Sequence, residues 1–187
     1  MNILLHICCS SCALYPVKII REEGHDFTGF WFNPNIQPYE EYKLRLNSLK
    51  ALADRWHIDI IYAEEDSGGM GGVSAKRPER CKSCYKMRLE KTAEEAQRQG
   101  FDAFSTTLLI SPYQDFDQII STGSELAKKH NVIFYFRDFR QYFREAMAYA
   151  KEMGLYRQKY CGCIYSREER FRKGEKNSKS EVLNRFK

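Results

Sequence analysis

The first twelve residues set the terms for the rest of this chain. Asn2-Ile3-Leu4-Leu5-His6-Ile7 is a short apolar run, and Cys8-Cys9-Ser10-Ser11-Cys12 follows it directly. A run of this kind reads as a strand buried on both faces of a parallel sheet. The next segment, Ala13 to Glu23, carries Leu14, Val17, Ile19 and Ile20 at helical spacing. Three cysteines therefore fall on a strand-to-helix turn, which is where open α/β sheets bind their ligands. One cysteine there would pass as a small buried hydrophobe. Three in five residues, echoed by two close pairs further on, would not.

Beyond that turn the chain alternates between strand and helix patterns. Asp26 to Phe32 reads as a second strand, broken by Asn33-Pro34-Asn35, and Pro38 opens a helix running to about Trp56. Ile58 to Ala63 is a third strand. Asp66 to Pro78 holds Ser67-Gly68-Gly69-Met70-Gly71-Gly72 and reads as a loop. It is not a phosphate-binding loop, because Val73-Ser74 stands where Lys-Ser or Lys-Thr is required. Glu79 to Gln99 is helical and ends at Gly100, Phe101 to Thr106 is a fourth strand, and Phe116 to His130 a fourth helix. Val132 to Phe136 is a fifth strand, and Arg140 to Met153 a helix closed by Gly154. Five strands alternating with helices imply one five-stranded parallel sheet covered by helices on both faces. At 187 residues and 43% hydrophobic, the chain suits one core and is short for two.

No apolar run approaches membrane-spanning length, and a charged leader with a small-residue cleavage site is missing. The expectation is a soluble protein in the cytoplasm, without membrane contact. Clustered cysteines in a reducing compartment are more often metal ligands or redox-active thiols than structural disulfides. The net charge of +5 is uneven: Ser166 to Lys187 holds eight Lys and Arg against four Glu. On charge alone that tail is a solvated helix end and a frayed terminus; the functional reading is an arm for RNA phosphates.

The second cysteine group, Cys81-Lys82-Ser83-Cys84, stands at the start of a helix. There the helix dipole is expected to favour thiolates. By itself this motif is either a metal half-site or a redox dithiol. The third group is Cys161-Gly162-Cys163, whose glycine permits a tight turn. It suits a redox couple or two metal ligands, since a disulfide over so short a loop is strained and easily reduced. Seven cysteines exceed what one tetrahedral zinc needs; four would satisfy one [4Fe–4S] cluster and three would remain. Spacing alone leaves zinc and iron–sulfur equally open.

Four segments taken together carry a resemblance. Leu4-Leu5-His6 with Cys8-Cys9-Ser10-Ser11-Cys12, Arg80-Cys81-Lys82-Ser83-Cys84-Tyr85 with Arg88-Leu89, Ser105-Thr106-Thr107-Leu108-Leu109-Ile110-Ser111-Pro112-Tyr113-Gln114, and Tyr160-Cys161-Gly162-Cys163-Ile164-Tyr165-Ser166 stand in that order. The chain resembles the epoxyqueuosine reductases of the QueH type over residues 1 to about 171. The resemblance implies a Rossmann-like, HUP-type α/β fold with a C-terminal helical segment. It implies a single metal-binding catalytic domain over residues 1–171; residues 172–187, read from their charge as a basic, flexible tail, lie outside the match. It further implies cobalamin-independent reduction of epoxyqueuosine at the wobble position of tRNA, giving queuosine and water. The implied cofactor is a [4Fe–4S] cluster fed by an external electron donor.

With the resemblance in hand, Cys8, Cys9, Cys81 and Cys84 are assigned to the cluster. Cys161 and Cys163 become a redox-active pair, or join Cys12 in holding a second metal ion, iron or zinc. In that role Cys8 and Cys12 are interchangeable. Asp115 or Asp117, beside Tyr113 and Gln114, is a candidate proton donor or extra metal ligand, with helix capping as the plainer role for Asp115. His6 is read as a satisfied core histidine. Tyr39, Tyr42, Trp31 and Phe32 are candidates for stacking on a base, or ordinary core. Arg45, Lys76, Arg77 and Arg80 are candidates for phosphate contact, or solvated charges. Two other functions compete: a zinc-stabilised nucleic-acid-binding module without catalysis, and a thiol–disulfide oxidoreductase. The first explains poorly why the cysteines sit at the sheet's functional edge, and the second leaves Cys8, Cys9 and Cys12 without a purpose.

Overall fold

The computed structural model describes residues 1–63 and 76–172. The glycine-rich loop from Ser67 to Gly72 and all of the tail but Arg172 lie outside the described residues. The elements are β1 (Asn2–His6), α1 (Ser10–Glu22), β2 (Asp26–Trp31), α2 (Tyr39–Trp56), β3 (Ile60–Tyr62), α3 (Glu79–Gln99), β4 (Ala103–Thr106), α4 (Phe116–His130), β5 (Ile133–Phe134) and α5 (Phe143–Glu152). Short 3-10 turns occupy Thr107–Ile110 and Arg140–Tyr142, and residues 164–172 are helical.

All five strands run parallel, in the order β3-β2-β1-β4-β5. This is the Rossmann-like arrangement expected, with β1 at the centre. The continuous apolar run of β1 has a physical reason: a central parallel strand faces helices on both sides, so Ile3, Leu4 and Leu5 are all fully buried. Helix α1 packs against α2 and α5, whereas α3 packs against α4 and β1. The two edge strands come out shorter than the sequence pattern suggested. β3 is bonded only to β2, over Gly29–Trp31, and β5 only to β4, over Ala103–Phe104, so each edge strand has one ladder to hold it. The helix expected over 140–153 divides into a 3-10 turn and α5.

Strand order places the chemistry. The chain leaves β1 toward β2 and leaves β4 toward β5, so connections diverge on either side of the β1–β4 pair. The carboxyl ends of those strands meet at that divide, the position where sheets of this order bind their ligands. His6 pairs with Thr106 across it in register, and Cys8 N–H donates to Thr107 Oγ1 at 3.1 Å.

Candidate metal centre

The turn after β1 gathers three thiols. Cys8, Cys9 and Cys12 are buried and free, and their sulfurs lie within 4.8 Å of one another. Local structure explains the convergence. Cys9 is the N-cap of α1 in extended conformation, and its sulfur accepts the Cys12 N–H at 3.4 Å. A sulfur replaces the usual Ser or Asp oxygen and satisfies one orphan donor of the helix. Cys8 Sγ stands 3.8 Å from Cys9 Sγ and accepts a bond from Thr107 Oγ1 at 3.3 Å.

The three thiols share their protons unequally. Burial works against a charge on Cys9, but the Cys12 and Cys8 thiols and the Arg45 charge outweigh it and hold Cys9 well below the ordinary thiol range. Cys12, donating toward Cys8 and Cys9, is pushed well above that range. Contact with Cys12 favours a Cys8 thiolate, but Cys9 and burial prevail and push Cys8 up to about 12. Cys9 is thus the thiol of the three that its surroundings most favour as a thiolate, the form in which a cysteine binds a metal.

Gln158 closes this group from the far end of the chain. Its Nε2 donates to Cys9 Sγ at 3.0 Å and to Cys12 Sγ at 3.4 Å, while its Oε1 accepts from Ser11 Oγ at 3.2 Å. Nothing in the sequence pattern distinguished Gln158. Its position five residues before Cys163 is the one signal available.

The remaining cysteines belong to α3 and the segment after α5. Cys84 and Cys163 are buried, and Cys81 and Cys161 half-buried. Charges on Cys161 and Cys163 act on both Cys81 and Cys84, so the two pairs face one another. Burial dominates both α3 thiols: it raises Cys81 despite Arg77, and pushes Cys84 up to about 11 despite Arg88. The expectation that the helix start would favour thiolates there is overturned. Cys84 is the sixth residue of α3, past the first turn to which the dipole effect is confined.

Three buried arginines stand among these groups. Arg45, 1% exposed, pairs with Glu41 at 2.7 Å and donates to the backbone oxygens of Cys161 and Tyr160, both at 3.0 Å. It is a clamp on the third cysteine segment rather than a surface contact for phosphate. Arg80 pairs with Glu169 at 2.7 Å and is likewise buried, while Arg77 is half-exposed. Arg88, also 1% exposed, donates Nε and Nη2 to Asn35 Oδ1 at 2.8 and 2.5 Å. Burial disfavours its charge, but Cys84, Cys161 and Cys8 outweigh burial and keep it protonated. Among the described residues no carboxylate pairs with it. One guanidinium thus stands between the first cysteine group and the second and third.

Other candidates take definite places. His6 is fully buried, 2.9 Å from Thr106 Oγ1 and 3.3 Å from the Phe32 oxygen. Thr106 Oγ1 accepts from Leu108 N–H at 3.1 Å, which leaves it to donate to His6 Nδ1 while Nε2–H donates to Phe32. Desolvation, with the Arg88 charge, lowers its pKa to about 3, so it is the satisfied neutral core histidine expected. Asp115 caps α4, accepting Gln118 N–H at 3.1 Å, and is exposed, as is Asp117. Its neighbour Gln114 donates to Cys161 Sγ at 3.4 Å. Trp31 is core, donating to Tyr42 at 2.7 Å, whereas Tyr39 is 64% exposed.

The donor set fits a thiophilic metal group: seven free thiols and buried cationic side chains at one sheet edge. The matching family model is that of the epoxyqueuosine reductase QueH, over residues 3–169. The epoxyqueuosine reductase QueH of Dehalococcoides mccartyi is 38% identical over 181 residues, covering 95% of this chain and 97% of that protein. The one from Thermotoga maritima is 34% identical over 184 residues, covering 90% and 92%. Among solved structures, a protein described as a subunit of tRNA methyltransferase from Methanocaldococcus jannaschii superposes with a TM-score of 0.56. It covers 81% of this chain and 75% of its own at 14% identity, a likeness of fold alone.

Proposed function

The chain belongs to the epoxyqueuosine reductase QueH family, and from that premise we propose that it reduces epoxyqueuosine in tRNA at a cysteine-bound iron–sulfur centre, without cobalamin. Two electrons and two protons remove the epoxide oxygen as water and leave the carbon–carbon double bond of queuosine. Cys8 and Cys9 from the first turn, with Cys81 and Cys84 from α3, hold a [4Fe–4S] cluster. When bound, that group supplies single electrons from an external donor and a Lewis-acidic iron. Cys161 and Cys163 act as a redox pair, or with Cys12 hold a second iron or zinc ion. No helix among the described residues is long and apolar enough to cross a membrane.

One observation supports this reading above the others: Arg88, buried and without an acid partner among the described residues, faces Cys84, Cys161 and Cys8. A fixed buried cation calls for anionic partners, and thiolates bound to a metal group provide them. Gln158 orients Cys9 and Cys12, and Arg45 holds the backbone of Cys161 where its sulfur meets Gln114. Asp115, exposed beside Gln114, is assigned the role of passing a proton toward the departing oxygen. Residues 1–171 serve as one catalytic unit, followed by the basic tail over 172–187.

The test is anaerobic purification with iron analysis and a visible spectrum, followed by a reductant-driven assay on epoxyqueuosine-containing tRNA. Brown protein with about four or more irons per chain and queuosine as product are expected. Colourless, zinc-holding protein that stays inert after cluster reconstitution overturns the proposal in favour of a binding module.

A further inference from the structure

Well down α3 from its cysteines, a second group of metal-type donors stands apart from all seven thiols. Glu90 lies six residues after Cys84, the nearer of the two α3 cysteines, about 9 Å along the helix. Glu90, Glu94 and His130 each offer a ligand atom, and the three atoms lie within 4.8 Å of one another. Glu90 and Glu94 are four apart and share one face of α3; His130 is the last residue of α4, which packs against α3.

His130 is the informative member. It is 8% exposed, and its Nδ1 stands 3.3 Å from Gln97 Oε1. A carbonyl oxygen can only accept, so Nδ1 carries the proton and Nε2 the lone pair. That Nε2 is buried and has no hydrogen-bond partner among the described residues. A buried acceptor left unmet carries a desolvation penalty that a ligand would relieve. A water molecule has two protons to give, whereas the lone pair and two carboxylates present three acceptors. A cation satisfies all three. Gln97 meanwhile fixes the histidine tautomer in the way that outer carbonyls orient metal-binding histidines.

We propose that Glu90, Glu94 and His130 Nε2 form a second metal site, for a divalent first-row transition ion that completes its shell with water. Carboxylate and imidazole donors without sulfur suit Mn2+, Fe2+ or Zn2+. The ion joins the body of α3 to the end of α4, and so braces the helix that carries Cys81 and Cys84. In its absence ammonium groups stand in: Lys129 pairs with Glu90, and Lys91 lies 4.0 Å from Glu94. Binding therefore exchanges lysine for metal.

Mn2+ is the probe of choice, because it competes poorly for thiolates. Binding to the anaerobically purified, iron-loaded protein is followed by loss of the free-ion electron paramagnetic resonance signal. Wild type is expected to take up one Mn2+ per chain. Glu94→Gln, on an exposed side chain, weakens binding at least about tenfold, and Lys129→Ala tightens it about threefold by removing the competing ammonium. His130→Gln abolishes it; should that variant fail to fold, the Glu94→Gln and Lys129→Ala pair decides. Affinity weaker than about 1 mM, or binding unchanged by Glu94→Gln, overturns the proposal. Neither outcome bears on the cysteine centre.

Discussion

Arg88 gives two of its donors to Asn35 Oδ1, at 2.8 and 2.5 Å, and none to a carboxylate among the described residues. A neutral amide oxygen orients a guanidinium without cancelling its charge. The pair therefore aims a full positive charge, buried beside β1, at Cys84, Cys161 and Cys8. Asn35 comes from the break after β2 and Arg88 from the third turn of α3, so both sides of the sheet edge contribute to one electrostatic setting.

Replacing Arg88 by Met separates two roles of that charge. In the metal-free chain, relief of an uncompensated buried cation and loss of the Asn35 bond oppose each other. The melting temperature should stay within about 3 °C of wild type. In the iron-loaded protein the thiolates lose their counter-charge, and release of iron to a chelator should accelerate about tenfold or more. Iron release at the wild-type rate would show that the cation serves something other than the metal group.

Gly162 has φ +148°, and a Cβ there would sit 3.4 Å from Ile36 and 3.5 Å from Arg45 Nη1. Both the backbone angle and the Arg45 clamp depend on the missing side chain. Gly162→Ala should cost about 1–3 kcal/mol, seen as a fall of about 2–9 °C in the melting temperature. Turnover should fall with it, because Arg45 holds Cys161 through the same turn. A variant with unchanged melting temperature would mean the turn relaxes freely.

Much of this architecture was legible in the sequence, and the gaps have physical causes. Asn2–His6 announced a central strand because a strand buried on both faces needs no polar alternation. Helices Glu79–Gln99 and Phe116–His130 were bounded correctly, since Gly100 and Asn131 stop them in left-handed conformation and Asp115 starts the second. The three cysteine groups were visible by spacing. Their surroundings were not: Gln158 reaches Cys9 from 149 positions away, and no local pattern encodes such a contact. Arg45 reads in the sequence as a phosphate contact or a solvated charge, because an i, i+4 pair with Glu41 carries no local sign of burial. Here that pair is buried under the Tyr160–Cys161 backbone. The thiols of α3 were misjudged for a similar reason, as burial is a tertiary property that outweighs the local helix dipole.

Asp115 joins a cap to a proposed proton transfer, and two substitutions divide them. Asp115→Ala removes the acceptor for Gln118 N–H and should cost about 1 kcal/mol of stability. Asp115→Asn keeps a capping oxygen, so its stability should match wild type. If the carboxyl group also delivers a proton, kcat in the Asn variant falls about 100-fold while its unfolding curve is unchanged. Equal kcat in Asp115→Asn and wild type would leave the residue a cap and nothing more.

The double substitution Cys161→Ser, Cys163→Ser tests the division of labour among the seven thiols. If Cys8, Cys9, Cys81 and Cys84 hold the cluster, the variant keeps the brown colour and about four irons per chain. Turnover on tRNA should nevertheless fall by at least about 100-fold, since serine neither forms a disulfide nor binds a soft metal well. Substitution at this pair is structurally mild, as Arg45 holds the segment through backbone oxygens that serine retains. Loss of the cluster itself would move Cys161 or Cys163 into the ligand set and release one of the other four. Full activity would remove the pair from both proposed roles, leaving Cys12 alone to account for any metal beyond the cluster.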